Sequence, residues 1–157
     1  MPNALETIQI DKDDFSGNTF YSNKAIDSAL GSKVYAYVGA KDDEQWFCLA
    51  AILITDNSLF FERATVLADG KKFTLEFDLT TGTHEYLGDG SYFDAADIVL
   101  SGLDDDAMLD AMARAKSTKI RFYTRNSTYD YVLSERDKNA ITEALAVYEL
   151  LGGKFNE

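Results

Sequence analysis

Six short segments with the character of β-strands follow one another between residues 34 and 100, and they limit the chain to a sheet-rich fold. Each is rich in β-branched and aromatic residues, and short polar or glycine-containing turns separate them. Because consecutive strands with short links usually pair antiparallel, we expect a mostly meandering sheet. The predicted strands are Val34–Ala40, Gln45–Thr55, Leu59–Leu67, Lys72–Leu79, Thr83–Leu87 and Tyr92–Leu100.

Two of these segments indicate how the sheet is covered. Gln45–Thr55 carries apolar residues on both faces, which predicts a strand covered on both sides. Lys72–Leu79 instead alternates, with Phe73, Leu75 and Phe77 on one face and polar residues on the other. Such alternation is typical of a strand with one buried face and one face in water.

The last third of the chain predicts two helices. Asp104-Asp105-Asp106 precede an apolar stripe that includes Met108 and Met112, and Asp104 is predicted as the N-cap. Ser134 and Asp137 have the spacing of a capping box at the start of a second helix. Its apolar stripe falls at helical spacing, and Gly152-Gly153 ends it. The stripe comprises Ile141, Ala144, Leu145, Tyr148 and Leu151.

Between these helices the sequence predicts a hairpin, Lys119–Arg125 and Thr128–Leu133, around the turn Asn126-Ser127. This register places Arg125 opposite Thr128. One strand face then carries Arg121, Tyr123 and Arg125, away from the apolar residues of the hairpin. Two guanidinium groups flanking a phenol on an acidic protein predict a ligand-binding surface. A solvated face, in which Asp130 pairs with an arginine, is the alternative.

The fold class predicted is α+β, as a single domain over residues 1–157. An antiparallel, mostly meandering sheet, curled or sandwich- or barrel-like, is expected to carry two helices from the C-terminal half. In the N-terminal part, Thr7–Ile10 and Asn18–Ser22 are candidate edge strands, and Asn23–Leu30 is a candidate short helix.

Net charge excludes some functions. The chain has 27 acidic and 15 basic residues, a net charge of −12. This charge repels phosphate backbones, so no nucleic-acid partner is expected.

No apolar stretch is long enough for a membrane span, and the first residues lack the pattern of a signal peptide. The compartment stays open, with an extracytoplasmic location slightly favoured.

Cysteine and histidine occur once each, as Cys48 and His84. A disulfide within the chain and a site with several cysteines or histidines are therefore excluded. Cys48 lies in the apolar run of Gln45–Thr55, which predicts a buried, unreactive thiol. No phosphate-binding glycine loop occurs, and neither a metal nor a cofactor is expected.

These patterns favour a non-catalytic binding or interaction module, such as the soluble domain of a bacterial surface or secreted protein. Its expected partner is a protein, a glycan or a small anionic ligand. The alternative is a glycosidase-like hydrolase that uses carboxylates, with Asp94 and Asp97 beside Tyr92 and Phe93 as the candidate acids.

Overall fold

Two open antiparallel sheets carry the fold, and the two longer helices come from the C-terminal half, as the α+β prediction requires. The computed structural model describes residues 4–57, 59–77 and 82–156. A 3-10 helix spans Ala4–Thr7. The α-helices are α1 (Lys24–Asp27), α2 (Leu103–Arg114) and α3 (Glu135–Leu150). The strands are β1 (Ile8–Lys12), β2 (Thr19–Asn23), β3 (Lys33–Lys41), β4 (Glu44–Thr55), β5 (Arg63–Ala68), β6 (Lys71–Glu76), β7 (Thr83–Tyr86), β8 (Tyr92–Leu100), β9 (Thr118–Tyr123) and β10 (Thr128–Val132).

The strands divide between a larger sheet, in the order β1-β2-β3-β4-β8-β7, and a smaller sheet, in the order β10-β9-β5-β6. The predicted meander therefore holds for β1 to β4 but not beyond. The next two strands after β4, β5 and β6, belong to the smaller sheet, and the chain re-enters the larger sheet at β7. The free edge of β4 pairs with β8 from Phe47–Leu100 to Thr55–Tyr92, a longer match than the short β5 can offer. Neither sheet closes into a barrel.

The buried faces of both sheets contribute to one cluster of core side chains. Helix α3 lies across β2, β3 and β4, and α2 packs beside α3 and touches β5. Apolar burial of this kind is the main favourable term in folding. The largest fully buried members are Phe47, Leu49, Leu53, Phe61, Leu109, Met112, Ile120, Phe122 and Ile141.

Strand β4 departs from its predicted environment. Its face with Phe47, Leu49 and Leu53 is buried in the core, as expected. Within the described residues, no helix packs over the opposite face, so this face is covered only in part. Cys48 and Ala50 are nevertheless buried, because tyrosines lie opposite each of them on β3.

The two helix starts differ. Ser134 caps α3 as predicted: its hydroxyl oxygen accepts the Asp137 N–H at 3.1 Å, and Asp137 accepts the Ser134 N–H at 3.0 Å. For α2, Asp104 is not the N-cap, because the helix begins at Leu103 after Gly102. Asp105 instead accepts the Gly102 N–H at 2.9 Å, satisfying a backbone donor from within the first turn.

The hairpin of β9 and β10 forms, but its register differs from the prediction. Tyr123 rather than Arg125 lies opposite Thr128, and Thr124 donates its backbone N–H to Ser127 across the turn. The turn residues are therefore Arg125-Asn126. A shift of two residues leaves every side chain on its predicted face, because strand side chains alternate with a period of two.

The short N-terminal elements form near their predicted positions, as β1, β2 and α1. The end of the predicted strand Lys72–Leu79 and the turn that follows it fall partly outside the described residues. Among the helices that the structure describes, none is long and apolar enough to span a membrane.

Candidate functional site

The outward face of the smaller sheet concentrates positive charge. Ile120 and Phe122 of β9 point into the core, so alternation turns Lys119 and Arg121 outward. The neighbouring strands extend the same face. We use the name cationic face for the surface formed by Arg63, Lys72, Lys119 and Arg121 together with Thr65, Leu67 and Tyr123.

Cross-strand pairing sets the arrangement of this face. Leu67 of β5 lies between Lys119 of β9 and Lys72 of β6, and Thr65 lies opposite Arg121. A depression of about 240 Å³ forms over these strands. Since neighbouring strands are 4.7–4.9 Å apart, the backbones of β9 and β6 lie about 10 Å apart across the sheet. The positive charge is therefore spread over a surface.

Arg121 is partly neutralised by this chain. Its Nε and one terminal nitrogen donate to the two carboxylate oxygens of Asp130, at 2.7 and 2.9 Å. This bidentate pairing raises the pKa of Arg121 and holds the pKa of Asp130 below its usual range. Because the Arg121 side chain is still 52% exposed, it has open surface for a further contact.

Tyr123 is half-buried on the cationic face and is held by two neighbours on β5. Its hydroxyl lies 3.3 Å from the Thr65 hydroxyl, which donates to it. The Arg63 guanidinium carbon lies 4.7 Å from the centre of the Tyr123 ring. This cation–π contact fixes Arg63 beside the phenol. Part of the aromatic surface expected for binding is thus covered by a side chain of the same protein.

Arg125 lies apart from the other two predicted site residues. It belongs to the turn of the hairpin, beyond the end of β9, and is exposed. It borders a separate depression of about 540 Å³ that also includes Phe60 and Glu62. The structure therefore brings Arg121 and Tyr123 together and leaves Arg125 at the tip.

Three cations of this face were missed by sequence reasoning. Lys119 continues the alternation of Arg121 and Tyr123 along one strand, so its place could have been found from that pattern. Arg63 and Lys72 join the face only because β5 pairs with both β9 and β6. That pairing joins segments far apart in the chain, and no local pattern indicates it.

The carboxylates proposed for the hydrolase alternative do not meet. Asp94 and Asp97 are three residues apart on β8 and lie on opposite faces of the larger sheet. Asp94 is fully buried, whereas Asp97 is exposed and accepts the Tyr37 hydroxyl at 2.5 Å. The two acids therefore do not face each other across a shared site.

Asp94 pairs instead with the single histidine. Its Oδ1 lies 2.5 Å from His84 Nδ1, and its Oδ2 accepts the Leu59 N–H at 2.9 Å. The Phe60 ring lies over the imidazole, with centres 4.2 Å apart. Nε2 of His84 is buried and has no hydrogen-bond partner among the described residues. The arrangement orients the imidazole but, among the described residues, brings no nucleophile to it.

A larger groove, about 680 Å³, lies between α2, α3 and the C-terminal segment. Phe155 forms one wall by packing on Tyr148 and Phe47, with ring centres 5.1 and 5.7 Å away. Its rim mixes both signs of charge, with Asp110 paired to Arg114 at 2.7 Å. Because the groove depends on the packing of the last residues, no sequence pattern predicted it.

In the part of the chain that the structure describes, no three histidine, cysteine or carboxylate side chains cluster as metal ligands would. No family model, curated protein or solved structure matches this chain. The function therefore rests on the geometry of the chain itself.

Proposed function

We propose that this protein is a non-catalytic binding module, and that its cationic face holds a short acidic segment of a partner protein. The observation that carries this proposal is the separation of charge. Among the described residues, four basic side chains share one exposed sheet face with two acidic ones, Glu76 and Asp130, in a chain of net charge −12.

The shape of the face favours an extended partner over a single small anion. The four basic side chains extend over three strands, so a partner with several acidic groups can contact more of them than one small anion can. An acidic peptide segment can lie across the strands and reach several cations at once. A long polyanion would extend beyond the face and meet the acidic remainder of the chain.

The test uses a dye-labelled peptide of eight glutamates, whose binding is measured by fluorescence anisotropy at low salt. The decisive variant is the double substitution Lys72→Gln and Lys119→Gln, because both lysines are exposed and neither forms an ion pair within the described residues. Each close contact between charges in water contributes about 1 kcal/mol, so the loss of two contacts should lower affinity roughly thirtyfold. Binding should also weaken as salt is raised.

The matched control replaces Lys12 and Lys24 with glutamine. Both are exposed and lie elsewhere, on β1 and α1, so the control changes the net charge equally without touching the cationic face. Affinity should then change less than twofold. Equal losses in the two double variants would contradict the proposal.

A further inference from the structure

The outward face of the larger sheet carries a row of aromatic side chains that no helix of the described chain covers. The rings of Trp46 and Phe20 have centres 6.3 Å apart, those of Phe20 and Tyr37 6.1 Å, and those of Tyr37 and Tyr35 6.4 Å. All four side chains are half-buried. The row therefore presents partly exposed rings to solvent.

A trough of about 280 Å³ adjoins the tyrosine end of this row. Cross-strand register explains why space exists there: Ala50 of β4 lies between Tyr35 of β3 and Asp97 of β8. The small alanine leaves a gap between an aromatic ring and a carboxylate. The trough is lined by Tyr35, Tyr37, Ala50, Thr83, Ala95 and Asp97, among others.

The carboxylate of Asp97 is oriented by a hydrogen bond to one of its two oxygens. Its Oδ2 accepts the Tyr37 hydroxyl at 2.5 Å, while Oδ1 accepts no hydrogen bond from the described residues. Burial, and then the bond to Asp97, raise the pKa of Tyr37, so the phenol stays a donor at neutral pH. The side chain of Asp97 is exposed, so a ligand can reach Oδ1 from solvent.

We propose that this trough binds a small organic cation, whose ammonium group pairs with Asp97 and lies against the Tyr37 ring. A carboxylate beside aromatic rings is the combination that favours ammonium ions, since the rings attract a weakly hydrated cation and the carboxylate neutralises it. The net charge of −12 attracts cations to the protein as a whole. The volume lies at the small end of ligand pockets, which suits a molecule of a few carbons.

The neighbouring Lys33 leaves this site open. Its Nζ donates to the carbonyls of Ile26 and Ala29 at 2.7 and 3.4 Å, at the end of α1. From there it lies 5.2 Å from the centre of the Tyr35 ring. A cation of the protein itself thus already sits near one tyrosine. Tyr37 and Asp97 are the groups that remain for a ligand.

The test titrates the protein with tetramethylammonium chloride and follows the fluorescence of Trp46, the only tryptophan, which belongs to the same aromatic row. Sodium chloride at equal ionic strength and a neutral methyl glucoside serve as comparison ligands. Tetramethylammonium should saturate with a dissociation constant on the order of 1–10 mM. An equal response to sodium, or a response to the glucoside alone, would overturn the proposal.

Two substitutions locate the site. Asp97→Asn keeps an oxygen for the Tyr37 hydroxyl but removes the charge, and should weaken binding at least about tenfold. Glu85→Gln is the matched control, because Glu85 is an exposed acid on the same sheet face but outside the trough. It should change affinity less than twofold. If both variants bind like the unchanged protein, the site is not at Asp97 and the proposal is wrong.

Discussion

At Cys48, burial sets the behaviour of the thiol. The residue is 3% exposed, which confirms the predicted burial. Burial raises the pKa of the Cys48 thiol to about 11, with a smaller opposing effect from the Tyr37 hydroxyl. The surrounding sequence was enough to predict this, because Cys48 lies within a long apolar run.

We expect Cys48 to react slowly with thiol reagents, because the thiolate is the reactive form and little of it is present at pH 8. Labelling by a disulfide reagent at pH 8 should be at least about 100-fold slower in the folded protein than in urea, given the raised pKa and restricted access. A Cys48→Ser variant gives the background. Similar labelling rates in the folded and urea-unfolded protein would show that the Cys48 thiol is accessible to the reagent.

The same thiol affects stability at high pH. Its folded pKa is about 11, above the unfolded value of about 8.5. Between these values the unfolded chain releases a proton that the folded chain keeps, so stability falls as pH rises. Thermal unfolding of Cys48→Ala at pH 8 and pH 10 should show a smaller loss of melting temperature than the unchanged protein. Equal losses would contradict this coupling.

At the scale of elements, local signals predicted most strands and both long helices. Alternation, turn residues and the Ser134 capping box all act over a few neighbouring residues, which a sequence displays directly. Two local details were wrong. Asp104 is not the N-cap of α2, because the helix begins after Gly102, whose N–H is accepted by Asp105, and the hairpin turns at Arg125-Asn126. Adjacent acids are nearly equal candidates for the helix start, and adjacent polar residues are nearly equal candidates for the turn. The packing of the whole helix or hairpin decides between them.

The two helix starts provide a matched pair of substitutions. Ser134→Ala removes a hydroxyl that accepts the Asp137 N–H, and should lower the free energy of unfolding by about 0.5–2 kcal/mol. Ser101 precedes α2 but does not cap it, since Asp105 accepts the backbone N–H groups of Ser101 and Gly102. Ser101→Ala should therefore change stability by less than about 0.5 kcal/mol. Urea unfolding measures the free energy of unfolding of both variants. Equal losses of stability would show that the Ser134 hydroxyl does not stabilise the start of α3.

At the scale of the whole molecule, the pairing of distant strands is what the sequence did not reveal. Strand β4 pairs with β8 and not with β5, so the strands form two sheets where one meander was expected. It also assembles the cationic face from β9, β5 and β6, and the trough from β3, β4 and β8. Both candidate sites thus depend on contacts between segments that a local pattern cannot connect. Only the strand carrying Arg121 and Tyr123 could be identified beforehand.

The shared core leads to a prediction about cooperativity: we propose that the two sheets unfold as one unit. Phe122 of the smaller sheet is fully buried, with its ring centre 4.9 Å from that of Phe61, and it belongs to the same cluster as Phe47 and Leu49 of the larger sheet. Phe122→Ala should lower the free energy of unfolding by about 3–5 kcal/mol. If the sheets are coupled, the fluorescence of Trp46 in the larger sheet should show the same loss of stability. This is expected although Trp46 lies on the opposite side of β4 from the core.

The measurement compares urea unfolding followed by Trp46 fluorescence with unfolding followed by far-ultraviolet circular dichroism. Both midpoints should shift together, because coincident transitions indicate that no partly folded species accumulates. Phe122→Leu provides a milder variant if the alanine protein does not fold, and Leu67→Ala, on the solvent side of the same sheet, should shift neither probe appreciably. The contrary result would be an unchanged urea midpoint for Trp46 fluorescence, with part of the circular dichroism signal lost at lower urea. It would mean that the smaller sheet unfolds alone. The larger sheet would then be stable without the core contacts of Phe122, and the two sheets would be separate folding units.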